Sequence, residues 1–151
     1  MLAPSLLAAY HASLYRLHLP SQDCVVQIGA RSLVLDDFLQ QQHCQHACFI
    51  SAHNPHSRRL PAALNHSRNA ALVQVLLARR LPCFPGVGYS ADPHSDWPAE
   101  AGFLVLHTEA ALARSLAAVF GQNAVLLLQP EQPVALLLTA GTRTDAKSSR
   151  Q

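Results

Sequence analysis

The stretch that most constrains the fold runs from Cys48 to Arg59, where the apolar residues Cys48, Phe49 and Ile50 give way to Ser-Ala-His-Asn-Pro-His-Ser-Arg-Arg. A short apolar run bounded by polar clusters reads as a central strand, Ala47 to Ser51, with both faces covered. Pro55 and Pro61 hold the next loop out of a helix. From Ala62 the chain enters its longest helical pattern, within Leu60 to Leu81, and Leu64, Ala71, Leu72, Val75 and Leu76 are expected on its inward face. A buried strand that ends in a polar loop and feeds a helix N-terminus is a common ligand position, because the first helical N–H groups are unpaired. The pattern gives a place and leaves the reaction open.

Either side of this centre the chain alternates between sheet and helix signals. Pro4 to Leu14 carries Leu6, Leu7, Tyr10 and Leu14 at helical spacing. Tyr15 to Leu19 and Cys24 to Ile28 flank turn residues and form a hairpin. Ser32 is placed to cap a helix through about Gln42. Cys83 to Val87, interrupted by Pro85, Gly86 and Gly88, suits an edge strand, and Tyr89 to Ala101 reads as a loop pinned by Trp97. After the strand Phe103 to Leu106, Thr108 is expected to cap a helix whose Leu112, Leu116, Val119 and Phe120 face inward until Gly121. Ala124 to Leu128 and Val134 to Leu138 make a closing hairpin. The expectation is one α+β domain over residues 1–139, with a mixed or antiparallel sheet, hairpins at both ends and helices packed against it. Residues 140–151, without an apolar residue beyond Ala146, are expected to be a disordered tail.

Composition narrows the class of protein. A chain of 151 residues can bury a full core, and its hydrophobic half excludes general disorder. The net charge is only +2, and Arg143, Lys147 and Arg150 lie in the tail, which argues against a nucleic-acid partner. The four cysteines form no Cys-x2-Cys pair, so reduced thiols and a cytoplasmic location are expected. Met1 to Ala12 lacks the basic start of a signal peptide, and no run reaches the ~18 apolar residues of a spanning helix, so a soluble chain with no membrane partner is expected.

Ser51-Ala52-His53-Asn54-Pro55-His56-Ser57, then Asn65 and Asn69, then Trp97-Pro98-Ala99-Glu100, and then Phe120-Gly121-Gln122-Asn123-Ala124 follow one another in order. Together they resemble a bacterial family known as a domain of unknown function. Its members share a Thr/Ser-Ala-x-Asn-Pro-x-Ser loop, a Trp-x-Glu-like stretch and a Phe-Gly-Gln-Asn-Ala turn. The chain differs from that pattern at His53, where an aromatic is common, and at Gly102, where a polar residue is usual. The resemblance implies a single small soluble domain and brings no activity with it.

Four constellations carry possible chemistry. Asn54, Ser57, Arg58, Arg59, Asn65, Arg68 and Asn69 could form an anion or polar-ligand site, with arginine forks matching phosphate or carboxylate. The bland alternative makes them a turn, caps and a solvated face. His43, Cys44, His46 and Cys48, followed by His53, His56 and His66, supply ligand types for zinc without a spacing that fixes a site, so no metal is assigned. Cys48, Ser51 or Ser57 with His53 or His56 could serve a hydrolase or transferase, although nothing resembles a nucleophile elbow. Trp97 and Glu100 with Gln122 and Asn123 would complete a cleft if both loops converge on Asn54.

The expected function is binding of a small anionic or polar ligand by Asn54, Ser57, Arg58, Arg59, Asn65, Arg68, Asn69, Trp97, Glu100 and Gln122, with no cofactor. The alternatives are a non-catalytic protein–protein interaction module and a histidine-assisted enzyme. Catalytic residues and oligomeric state stay open at this level.

Overall fold

A computed structural model describes residues 2–139, so the expected tail lies outside the described residues. In chain order the elements are α1 (Pro4–His11), β1 (Ser13–His18), β2 (Asp23–Val26), α2 (Leu33–Gln41), β3 (Ala47–Ile50), a 3-10 turn (Pro55–Ser57), α3 (Ala62–Ala78), β4 (Cys83–Ser90), β5 (Glu100–Leu106), α4 (Ala110–Val119), β6 (Ala124–Leu128) and β7 (Ala135–Leu138). The seven strands form one sheet in the order β2-β1-β4-β5-β3-β6-β7, every neighbouring pair antiparallel. Single backbone bonds from Gly29 N–H to the Val134 carbonyl (2.8 Å) and from Val134 N–H to the Ala30 carbonyl (3.0 Å) bring the two edges of the sheet together at one end. The sheet is therefore curled, with a concave and a convex face. This is the expected α+β domain with a hairpin at each end.

Strand alternation divides the apolar residues between the faces. Phe49, Leu104, Leu106, Leu126 and Leu128 face the concave side with Tyr15, Leu17 and Val26, and α2 fills part of that concavity with Leu35, Phe38 and Leu39. Ser32 caps α2 as expected, its hydroxyl accepting from Leu35 N–H. Cys48, Ile50, Val105 and Val125 face the convex side, where α3 and α4 cover them with Leu72, Leu76, Ala113, Leu116 and Ala117. All four residues of β3 are buried, which satisfies the central-strand reading. Helix α1 contributes no buried residue to either core.

Four expectations give way. Strand β4 is interior, between β1 and β5, and runs on to Ser90. Its Pro85 is tolerated because the β1 ladder ends at Leu17↔Gly86, one residue short of it. Glycines are required nearby: a Cβ on Gly86 would lie 2.8 Å from the Arg16 carbonyl oxygen and from Phe49 Cε1, and one on Gly102 would lie 2.7 Å from the Ile50 carbonyl oxygen. The inward stripe of α3 is Asn65, Asn69, Leu72 and Leu76, whereas Leu64 and Ala71 are exposed. Thr108 does not cap α4: its hydroxyl donates to the Leu106 carbonyl, and Glu109 occupies the cap position. Val119 is 74 % exposed, and Ala113 and Ala117 take the inward places beside Leu116 and Phe120.

Candidate functional site

The chain leaves β3 through a backbone that few residues accept. Asn54, His56 and Ser57 all have positive φ (47°, 56° and 58°). Such conformations cost about 1–3 kcal/mol each and persist only where the surroundings over-determine them. Here α3 supplies much of that determination. Asn65 Oδ1 accepts from Asn54 N–H and its Nδ2 donates to Asn54 Oδ1, both at 2.8 Å. Asn69 Oδ1 accepts from Ala52 N–H and its Nδ2 donates to the Ala101 carbonyl, both at 2.9 Å. Arg68 donates to the Ala52 and Phe120 carbonyls. These side chains hold the loop, which is why asparagines occupy inward positions of a helix.

The other two polar segments join the same knot. Asn54 Nδ2 donates to Glu100 Oε2 at 2.7 Å, and Trp97 Nε1 donates to the same oxygen at 3.0 Å. Gln122 Nε2 donates to the His53 carbonyl at 3.0 Å, and Asn123 Nδ2 to the Ser57 hydroxyl at 2.8 Å. His56 N–H donates to the Gly121 carbonyl at 2.7 Å. Gly121 has φ +67°, and a Cβ on it would meet the Pro55 side chain at 2.8 Å. The loop after β3, the start of β5 and the turn between α4 and β6 thus meet at hydrogen-bond distance.

Beside the knot, where α2 stops filling the concave face, lies a cavity of about 410 Å³. Tyr15, Phe49, Leu126 and Leu136 form its floor, while Leu6, Ala9 and Tyr10 of α1 wall one side. Five of the expected ligand residues border it: Asn54, Ser57, Trp97, Glu100 and Gln122. The other five do not. Asn65 and Asn69 line a separate hollow of about 330 Å³ with His53 and His66. Arg68 is committed to carbonyls, Arg58 is exposed, and Arg59 donates to the Asp96 carbonyl with its guanidinium 5.2 Å from the Trp97 ring centroid. The charge that was expected from arginine is thus absent from the cavity lining.

Burial shapes the acid–base character of the cavity. It pushes the Glu100 carboxyl above the usual range, against the pull of Asn54 and Trp97. Burial, then the Glu100 charge, raise the Tyr10 phenol to about 12, with the Ser57 hydroxyl acting the other way. Tyr15 is shifted in the same direction, chiefly by burial and then by Tyr10. Neither tyrosine was singled out from sequence, since aromatic residues on an amphipathic helix and a strand read as packing.

The histidine-assisted alternative needs a nucleophile within hydrogen-bond reach of His53 or His56. Neither the His53 nor the His56 ring is hydrogen-bonded to a serine or cysteine among the described residues. Burial, followed by neighbouring His66, lowers the His53 pKa. Burial pushes the Cys48 thiol up to about 12, which removes it as a nucleophile at neutral pH. Cys44 is buried, donating to the His46 carbonyl, and no group of three or more His, Cys, Asp or Glu suited to a metal occurs among the described residues.

Fold and site together define a single α+β domain with a knot of polar loops at the mouth of an apolar cavity. Residues 50–125, half of the chain, match the family described as Protein of unknown function (DUF3293), and the chain belongs to that family. The matched residues contain all three segments of the knot, while Tyr10 and Tyr15 lie outside them. Neither a curated protein nor a solved structure matches the chain.

Proposed function

We propose that the domain binds a small molecule in the concave-face cavity, the apolar body of the ligand on Tyr15, Phe49, Leu126 and Leu136 and its polar end toward Glu100. The single observation that carries this reading is a half-buried carboxylate at the edge of an apolar concavity of about 410 Å³, a volume within the range of small-molecule sites. Of the anionic and polar ligands suggested by sequence, the polar kind is favoured, because Glu100 is the one charged residue on the wall among the described residues. Asn54, Ser57 and Gln122 are the lining residues that would orient the ligand or hold those that do.

Trp97 is the only tryptophan of the chain, so its emission reports on this site alone. A panel of small aromatic and aliphatic amines, alcohols and acids is expected to include compounds that raise the melting temperature and shift Trp97 emission together. Ala9→Phe, which places a large side chain at the cavity wall from an exposed position of α1 and adds no second tryptophan, is expected to abolish both signals without lowering stability. A panel in which no compound produces either signal, or in which Ala9→Phe binds as well as wild type, contradicts the proposal.

A further inference from the structure

The residues on the cavity wall narrow the ligand class beyond its size. Tyr10, Tyr15 and Tyr89, all the tyrosines of the chain, line the cavity together with Phe49 and Trp97. No lysine, arginine or histidine does so among the described residues. The Glu100 carboxylate therefore faces an aromatic space without a counter-ion. Its Oε2 takes two hydrogen bonds from the neutral donors Asn54 and Trp97, whereas no described residue donates to Oε1. The three ion pairs among the described residues involve Asp23 and Asp36, none of them Glu100.

A carboxylate partly withdrawn from water costs free energy unless a charge partner arrives, and its partial burial already raises its pKa. The faces of aromatic rings carry partial negative charge and attract cations. Tyr10 and Tyr15 lie near enough to Glu100 for its charge to oppose their ionisation. One face of Trp97 is taken by Arg59, but the tyrosines carry no such partner among the described residues. An anionic ligand would meet repulsion from the carboxylate and from the ring faces alike, and a neutral one would leave the carboxylate unpaired.

We propose that the cavity takes a small organic ammonium ion bearing an apolar group, its charge held between the Glu100 carboxylate and the rings of Tyr10 and Tyr15. This rests on the reading of the cavity as a ligand site and specifies what that site selects.

The test is a matched series, phenethylamine, 2-phenylethanol and 3-phenylpropionate, titrated against the whole chain at neutral pH and followed by Trp97 emission and melting temperature. The amine is expected to bind about tenfold or more tighter than the alcohol, and the acid to bind weakest. Glu100→Gln keeps an oxygen that can accept from Asn54 and Trp97 while removing the charge, and it is expected to abolish the preference for the amine. Tyr10→Leu lies on α1, outside both cores, and keeps apolar bulk without a ring; it is expected to lower the preference for the amine over the alcohol about threefold.

Equal or tighter binding of the alcohol or the acid overturns the ammonium assignment, and so does a preference that survives both variants. Failure of the amine to bind, when another compound of the wider panel shifts the melting temperature, overturns it too and leaves the cavity reading standing. Silence from every compound overturns both.

Discussion

Asn69 carries more of the architecture than its place in a helix suggests. One side chain satisfies the Ala52 N–H and the Ala101 carbonyl, linking the site loop to β5. Asn69→Ala leaves the buried Ala52 N–H without its acceptor, while the Ala101 carbonyl keeps the Ser51 hydroxyl, and is expected to lower unfolding free energy by about 1 to 3 kcal/mol in urea titration. Exposed Ser67→Ala, on the same helix, is expected to change it by less than about 0.5 kcal/mol. A similar small effect at Asn69 would show that the loop holds itself. Asn65 and Asn69 read as ligand candidates from sequence, and asparagine is a poor interior helix residue without a partner. That partner is the protein's own backbone, which spacing cannot distinguish from a ligand. Arg68 is the same case, its charge spent on two carbonyls.

Glu100 makes a prediction of opposite sign to the common carboxylate. Its pKa is raised on folding, so between the unfolded and folded values the native state binds more protons, and this contribution to stability falls as pH rises through that window. Glu100→Gln removes the fall. The melting temperature of the variant minus that of wild type is therefore expected to be more positive at pH 7 than at about pH 4, by scanning calorimetry in matched buffers. An equal difference at both values would mean that burial does not penalise the Glu100 charge.

Among the elements, hairpins and helices were legible because their signals are local: turn residues between apolar runs, a capping serine, a terminating glycine. The order of strands was not. β4 reads as an edge because proline and glycine weaken a strand, yet it joins β1 to β5 and its glycines make room for side chains from other strands. Gly102→Ala would press on the Ile50 carbonyl and on Phe49, and a cost of about 1–3 kcal/mol is expected from equilibrium unfolding. A neutral or stabilising effect would show that Phe49 yields freely. Helix α1 stands at the other extreme. With no buried residue it should open far more readily than β3 or β5, so its amides are expected to exchange with deuterium fastest among the helices and to slow when the cavity is filled. Protection of α1 equal to that of β3 without ligand would contradict the picture of a loosely held wall.

The molecule as a whole is a curled antiparallel sheet with helices over its convex side and only one end of its concave side plugged by α2. A cavity follows from that geometry, because the floor residues Tyr15 and Phe49 meet edge to face, 5.6 Å between centroids, and α1 only walls the remaining space. Neither the curl nor the unfilled end could be read from sequence, since both depend on pairings between residues far apart, such as Ser13 with Ser90 and Cys48 with Leu127. What sequence did carry was the three polar segments, each weak alone, which the fold ties into one knot through Asn54, Glu100 and Gln122. The claim that this knot borders a ligand site is tested most directly by amide chemical-shift mapping during titration with phenethylamine. The account predicts shifts concentrated in α1, β1, residues 54–57 and residues 97–100, with the exposed faces of α3 and α4 unmoved. Shifts confined to those exposed faces, or to the hollow between His53 and His66, would contradict it.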